Sequence, residues 1–235
     1  MSETQQTDWQ VGEPIDWNPV GRPDRIVIEG RTVRVEPLNA AMHSASLFHA
    51  AQGPGADPHL WDYLPYGPFT DEPAFREHLQ QQVQSSDPLF FALVEPESGE
   101  AKGVASLMRI DTANGVGEIG HIWLGAGLQQ TVAATEAIFL LGDYLMRTSG
   151  YRRFEWKCDA LNQRSRRAAG RYGFTYEGTF RQHTVVKGRN RDTAWYSILN
   201  SEWPLLRESF IAWLDPSNFD ADGRQLRSLA SFRTA

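Results

Sequence analysis

Apolar and polar residues recur along the chain with two periods, and the switches between them outline the elements. Arg31–Pro37 sets Val33 and Val35 against Arg34 and Glu36, the two-residue alternation of a half-buried strand. Asn39 then N-caps a predicted helix to about Ala51. Gly53–Phe69 (GPGADPHLWDYLPYGPF) is a Gly/Pro loop thick with aromatics, and Thr70 or Asp71 caps a second helix to about Val83, with Pro73 in its first turn. Three strands follow: Pro88–Pro96 turns through Glu97–Ala101 into Lys102–Asp111, and Asn114-Gly115 turns into Val116–Leu124. From Thr131 to about Thr148 a helical period places Ala134, Ala137, Ile138, Leu141, Tyr144 and Leu145 on one face, and Gly150 stops it. Arg152–Asp159 alternates again, with Phe154, Trp156 and Cys158 in phase. A helix then starts at Asn162 and ends at Gly173. The last strands are Thr175–Val186 and Asp192–Leu199, joined by Lys187-Gly188-Arg189-Asn190.

The order is β-α-α-β-β-β-α-β-α-β-β, an α/β (α+β) domain over residues 31–200. Ahead of it, residues 1–30 form an extended arm: Pro14, Pro19 and Pro23 defeat helix and strand, and Ile26–Ile28 offers one short strand. After it, residues 201–235 hold a short helix opened by Trp203-Pro204 (Leu206, Phe210, Trp213), ended by Pro216, and a polar tail from Phe219 expected to be mobile.

Composition narrows the class. With 41% hydrophobic residues, including 12 Phe and 8 Trp, the chain can bury a core. Its longest apolar stretches, such as Ala137–Leu141, are too short to span a bilayer, and the N-terminus lacks a secretory pattern, so a cytoplasmic protein with no membrane partner is expected. One cysteine precludes an internal disulfide, and six scattered histidines show no metal-ligand spacing. The net charge of −6 is uneven. Arg152–Arg191 holds eleven Lys/Arg against three acids, a local +8 that leaves −14 for the rest. Such a region suits a polyanionic ligand. Nucleic acid is one candidate, but the charges spread over strands and turns without an aromatic RNA-binding motif, so no nucleic-acid partner is expected.

Two segments point to a different anion. Leu128–Ala137 (LQQTVAATEA) follows the strand run GEIGHIWL and opens a helix on small or β-branched residues, where free backbone N–H groups make an anion site. Asn162–Phe174 (NQRSRRAAGRYGF) is an Asn-x-x-Ser helix start closing on Gly-Phe. In this order, separated by a strand, they resemble the Gcn5-related N-acetyltransferase (GNAT) superfamily, in its RimJ/RimL-type branch. The resemblance covers roughly residues 30–200. It implies the GNAT fold, a central mixed, mostly antiparallel twisted sheet of about seven strands flanked by four helices. It also implies acetyl-CoA as cofactor and an amine as acceptor.

In that family the first segment holds the pyrophosphate and the second flanks the pantetheine arm. Registered on Thr135-Glu136-Ala137, the family pattern assigns Gln129, Gln130, Thr131, Val132, Ala133, Ala134 and Thr135 to the cofactor, with Leu124 at the end of the preceding strand. Gln129 and Ala134 match, while Val132 stands where the family usually has Gly. Asn162 is a pantetheine contact and its helix's cap. Ser165 is the counterpart of the serine that protonates the leaving thiolate in RimL-like members. The Tyr that many other members use instead is here Ala169, and the Glu that RimL-like relatives place on the penultimate strand is here Thr184.

For the general base the residues offer His121, which alternates with Ile119 and Trp123, and Glu118 on the opposite face with Ile122. An unperturbed imidazole near 6.5 suits the task. His183, one residue from Thr184, faces the other side of a regular strand. Cys158, in phase with Phe154 and Trp156, is a buried residue and no acyl carrier. Trp61, Tyr63 and Tyr66 lie in the loop that walls the acceptor site in this family. With Trp123, His183 and Trp195 they are the candidate substrate-binding residues. The acids Asp57, Asp62, Asp71 and Glu72 suit a cationic acceptor, or are solvated.

The resulting expectation is an acetyl-CoA-dependent N-acetyltransferase, monomer or homodimer, acting by direct attack of a small-molecule primary amine. A protein N-terminal α-amine is the alternative acceptor. A non-catalytic acyl-CoA-binding protein is the competing class, which Val132 and the absent Tyr and Glu keep open.

Overall fold

A computed structural model describes residues 11–233. One eight-stranded sheet carries the fold, in the order β1-β2-β3-β4-β5-β6-β8-β7. Its strands are β1 (Ile28–Glu29), β2 (Arg34–Pro37), β3 (Leu89–Val94), β4 (Ala101–Asp111), β5 (Val116–Leu124), β6 (Arg153–Asp159), β7 (Thr175–Val186) and β8 (Arg189–Leu199). The eighth strand beyond the expected seven is β1, two residues that pair with β2. Neighbours are antiparallel except β5 and β6. A parallel pair needs a crossover, which α3 (Val132–Asp143) supplies.

Helices α1 (Ala40–Gln52) and α2 (Glu72–Gln84) cover one face of the sheet. On the other lie α3, α4 (Gln163–Tyr172) and α5 (Trp203–Leu214), giving five α-helices among the described residues. Two cores result, one around Leu47, Phe75 and Phe90, the other around Phe91, Leu141, Phe154 and Phe210. β3, LFFALV, lies between them, so every residue is buried and its alternation vanishes.

The caps explain the helix starts. Asn39 accepts from Ala41 and Met42 N–H, Asp71 from Ala74, Thr131 from Ala134 and Asn162 from Ser165. α3 stops being α-helical at Asp143 and continues as a π turn through Thr148. Gly173, at φ 97°, caps α4 in the left-handed region that glycine enters freely. β8 begins at Arg189 rather than Asp192. Its hairpin with β7 therefore turns on two residues, Lys187 (φ 48°) and Gly188 (φ 73°), matching the twist of the strands.

Both ends pack on this body. Within the arm, residues 11–27 have no helix or strand. They are pinned by Trp17 Nε1 donating to Ala113 O at 2.8 Å and by Tyr151 Oη donating to Gly21 O at 3.1 Å; residues 1–10 lie outside the described range. The tail is not the free segment its polarity suggests. Asn218 Nδ2 donates to Trp213 O and Arg227 O, Leu229 is 1% exposed in the main core, and Ser209 Oγ donates to Phe232 O.

Candidate active site

β5 and β6 run together only from Val116–Ile119 against Arg153–Trp156, although the strands continue to Leu124 and Asp159. Past Ile119 they part, and the sheet opens. A cleft of about 2370 Å³ passes through this gap. The starts of α3 and α4 border it on one side of the sheet, and loop 53–69 and the β7–β8 hairpin on the other.

Local strain shapes the opening. Between Val104↔Trp123 and Ser106↔Gly120, β5 holds one residue more than β4, and His121 there has φ 49°. Between Met108↔Glu118 and Asp111↔Val116 the extra residue is on β4, at Arg109, φ 47°. Asp87 pins that bulge by accepting from Arg109 and Ile110 N–H at 2.8 and 3.0 Å. β7 carries a third irregularity at Gln182, φ 50°, held by Asp192 at 2.7 Å. A bulge re-aims the side chains around it. Beyond His121 the phase of β5 therefore reverses. Trp123 shares the face of Glu118 and packs in the second core, not with Ile119 in the main one, which corrects the alternation expected from sequence.

At the start of α3, Leu128 and Gln129 N–H bond Gly125 O, Ala134 N–H is taken by Thr131 Oγ1 at 3.2 Å, and Thr135, a full turn in, belongs to the helix ladder. Of the N–H groups from Gln130 to Thr135, those of Gln130, Thr131, Val132 and Ala133 are left without a partner. Gln130, exposed and at φ 61°, turns the chain into the concave arrangement that binds anions. Gln129 spends its side chain on Leu124 O at 3.0 Å. Ala134 is buried, and Thr135 Oγ1 accepts from Arg171 Nη1 at 3.0 Å.

Across the gap, Asn162 Oδ1 takes Ser165 N–H at 3.0 Å, so its two amide N–H bonds are what it offers the cleft. Ser165 Oγ accepts from Trp156 Nε1 at 3.0 Å. Indole only donates, so this bond does not use the serine's own proton, and the Cys158 thiol is a second neighbour of the hydroxyl. Cys158 is buried, and burial pushes its thiol up.

On the other face His121 does not have the environment of a neutral-pH base. Burial first, then the charges of Arg109, His78 and Arg191, bring it down to about 4. Its Nδ1 lies 3.2 Å from Tyr66 Oη, and burial raises that phenol, which keeps its proton. Glu118 is 2% exposed, with Arg109 Nη1 at 2.8 and 2.7 Å from its two oxygens and Lys157 Nζ at 2.8 Å. The chain of charges continues from Lys157 to Glu155 at 2.6 Å, Arg153 at 2.7 Å and Glu177 at 2.8 Å.

The aromatic candidates divide. Trp61 is 4% exposed, wedged against Trp123, Phe69 and Phe75, and together with Tyr66 it anchors its own loop instead of lining the cleft. Tyr63 does line it, 40% exposed, its hydroxyl donating to Leu161 O at 3.4 Å. Trp123 forms a buried part of the wall. Trp195 lies beneath Lys157 Nζ, 3.9 Å from the ring centre, and against Phe180; His183 bonds Thr193 Oγ1 at 3.0 Å. Neither lines the cleft, whereas Thr184 does. The irregularity at Gln182 brings His183 over Thr193, so the simple alternation invoked for it does not hold. The loop acids are engaged locally: Asp57 with Arg164 at 2.6 Å, Glu72 with Arg76 at 2.6 Å, Asp62 with His59 at 2.9 Å, and Asp71 as a cap. The cationic-acceptor expectation loses its basis.

Sequence reasoning missed Arg109, Lys157 and Arg191 as cleft residues, Trp156 as partner of Ser165, and the tail residues Arg224 and Gln225 at the cleft's far end. Arg191 and Lys157 were legible only as members of the basic window.

A sheet parted between two parallel strands, with a helix N-terminus at the gap, defines an acetyltransferase-type α/β fold. The acetyltransferase (GNAT) domain family matches residues 33–175, more than half of the chain, and the protein belongs to this family of acyltransferases. The chain is similar to a crystal structure of a GCN5-related N-acetyltransferase from Brucella melitensis, 48% identical, covering 94% of this chain and 99% of that one with a TM-score of 0.90. A GNAT-family structure from Chromobacterium violaceum is 40% identical over 83% of this chain and 98% of its own, TM-score 0.77. Among curated proteins, an uncharacterized N-acetyltransferase, p20, of Bacillus licheniformis is 30% identical over 63% of this chain and 84% of its own length.

Proposed function

We propose that this protein is an acetyl-CoA-dependent N-acetyltransferase of the RimJ/RimL type that acetylates the primary amine of a small molecule. The observation that carries the reading is the gap between β5 and β6. It joins an anion cradle on one side of the sheet to a roofed chamber on the other. The residues present fit the cofactor: four free N–H groups at a helix start suit its diphosphate, with Val132 tightening the approach, and Arg167 and Arg171 line the cleft beside them.

Bound there, acetyl-CoA supplies an activated acetyl group. The chain's part is to hold, orient and move protons. Asn162 donates toward the amides of the cofactor arm. With the cofactor bound, Ser165, its lone pair engaged by Trp156, would give its Oγ proton to the leaving sulfur and take one back, through water, from the attacking nitrogen. The acceptor amine is bound unprotonated, having lost its proton to water, because His121 is too weak a base and Glu118 is committed to Arg109 and Lys157. The roof favours a compact acceptor. Loop 53–69 is tied down by Lys187 Nζ donating to Trp61 O and Gly67 O at 2.8 and 2.7 Å, and by Arg164 on Asp57.

Thiol release from acetyl-CoA over an amine panel tests this, with Ser165→Ala as the diagnostic variant. Loss of a general acid lowers kcat by about 10²–10⁴-fold with little change in the apparent cofactor constant. A loss under about threefold would assign Ser165 a helix-start role only.

A further inference from the structure

Arg191 is a cation of the chamber that no carboxylate pairs with among the described residues. The chain Arg109–Glu118–Lys157–Glu155–Arg153–Glu177 alternates in sign along its length and sums to zero. Arg191, on β8 opposite Thr184, lines the same cleft beyond this chain. Its Nε is buried without a hydrogen-bond partner, and no carboxylate among the described residues pairs with it. The acids nearest it along the strands are turned elsewhere: Asp192 to Gln182 N–H and Asn190, Asp159 to Leu161 N–H. A guanidinium held in a cleft with a desolvated, unsatisfied N–H is costly unless a ligand anion completes it. Planar, forked donors of this kind match carboxylate and phosphate oxygens.

We infer that the acceptor is an amine that also carries an oxyanion, a carboxylate or a phosphate, and that Arg191 holds that group while the amine reaches the gap between β5 and β6. The inference rests on the acetyltransferase reading above and names the acceptor class for the same chamber. Of the loop acids, Asp57 is paired with Arg164, so its charge is offset and does not compete with that of the ligand.

The test compares matched amines with and without the anion: β-alanine against β-alaninamide, O-phosphoethanolamine against ethanolamine, and spermidine as a polycation. Wild-type kcat/KM should favour one or both anionic members by at least about tenfold, the size expected for a charge-assisted hydrogen bond. The first pair reports a carboxylate and the second a phosphate. Arg191→Gln should level the ratio and Arg191→Lys restore part of it, with CoA affinity unchanged in both. In parallel, calorimetry with CoA present compares N-acetyl-β-alanine with its amide, in wild type and in Arg191→Gln. Equal use of neutral and anionic amines together with equal binding of acid and amide, a preference for spermidine, or a loss of CoA affinity in Arg191→Gln overturns the assignment. If no amine is acetylated, the acetyltransferase reading fails, and the calorimetric pair still decides what Arg191 binds.

Discussion

His121 shows how one backbone angle redirects a site. A non-glycine residue in the left-handed region costs on the order of 1–3 kcal/mol, and here it moves every later side chain of β5 to the opposite face. Nothing in GEIGHIWL announces it, because the inserted residue is an ordinary L-amino acid and the apolar pattern still scans as a strand. His121 was therefore legible as a cleft residue but not as a suppressed base. Its environment has a measurable consequence. Above about pH 6.5 the imidazole is neutral folded and unfolded. Below that the unfolded chain takes up a proton that the folded protein refuses until about pH 4. Stability therefore falls as pH drops through this window. His43 and His78 are lowered mainly by burial too and act in the same direction. His121→Gln should flatten urea-unfolding stability between pH 6.5 and 5 by on the order of 1–2 kcal/mol. An unchanged slope would mean that His121 titrates normally and is again available as a base near neutral pH.

Helix starts are the elements best read from sequence, since a cap is a local side-chain bond. Asn39, Asp71 and Asn162 stand where their residue types predict, and Thr131 lies one residue before its helix. Strand ends and bulges depend on a partner strand far along the chain, which is why the β7–β8 turn was placed two residues too long. The start of α3 combines both lessons. The helix start was legible, but which of its N–H groups stay free was not, because the cap consumes Ala134 N–H. Gln130→Glu tests the narrowed cradle. An acid at a helix N-terminus is neutral or mildly stabilising for the helix, yet in the proposed cradle it would face the diphosphate. Affinity for CoA should fall by about 5- to 30-fold at low salt and recover partly as salt is raised, while the melting temperature holds. Unaltered affinity by calorimetry would place the diphosphate elsewhere.

Over the whole molecule the basic window and the acidic remainder meet inside the protein. Of the positive residues between Arg152 and Arg191, Arg153, Lys157 and Arg164 are paired with carboxylates, Lys187 holds loop 53–69, and Arg167, Arg171 and Arg191 line the cleft. That arrangement gathers much of the basic window around the cleft, which suits a small polyanion better than a long one. The tail was misjudged for a related reason. Its polar composition hides one anchor, Leu229, and the hydrogen bonds of Asn218, neither of which has a periodic signal. Leu229 lies in the core shared with α5, and Arg233 donates to Gly170 O at 3.2 Å near the end of α4. Tail, α4 and cleft should then respond together. A buried Leu→Ala exchange costs about 2–5 kcal/mol, and for a chain of this size each kcal/mol shifts the melting temperature by about 2–4 °C. Leu229→Ala should lower the melting temperature by at least about 5 °C and weaken CoA binding, since Arg224 and Gln225 reach the cleft from the same segment. A smaller shift with intact CoA affinity would mean that the tail opens independently of the body, and that the cleft ends at Arg171.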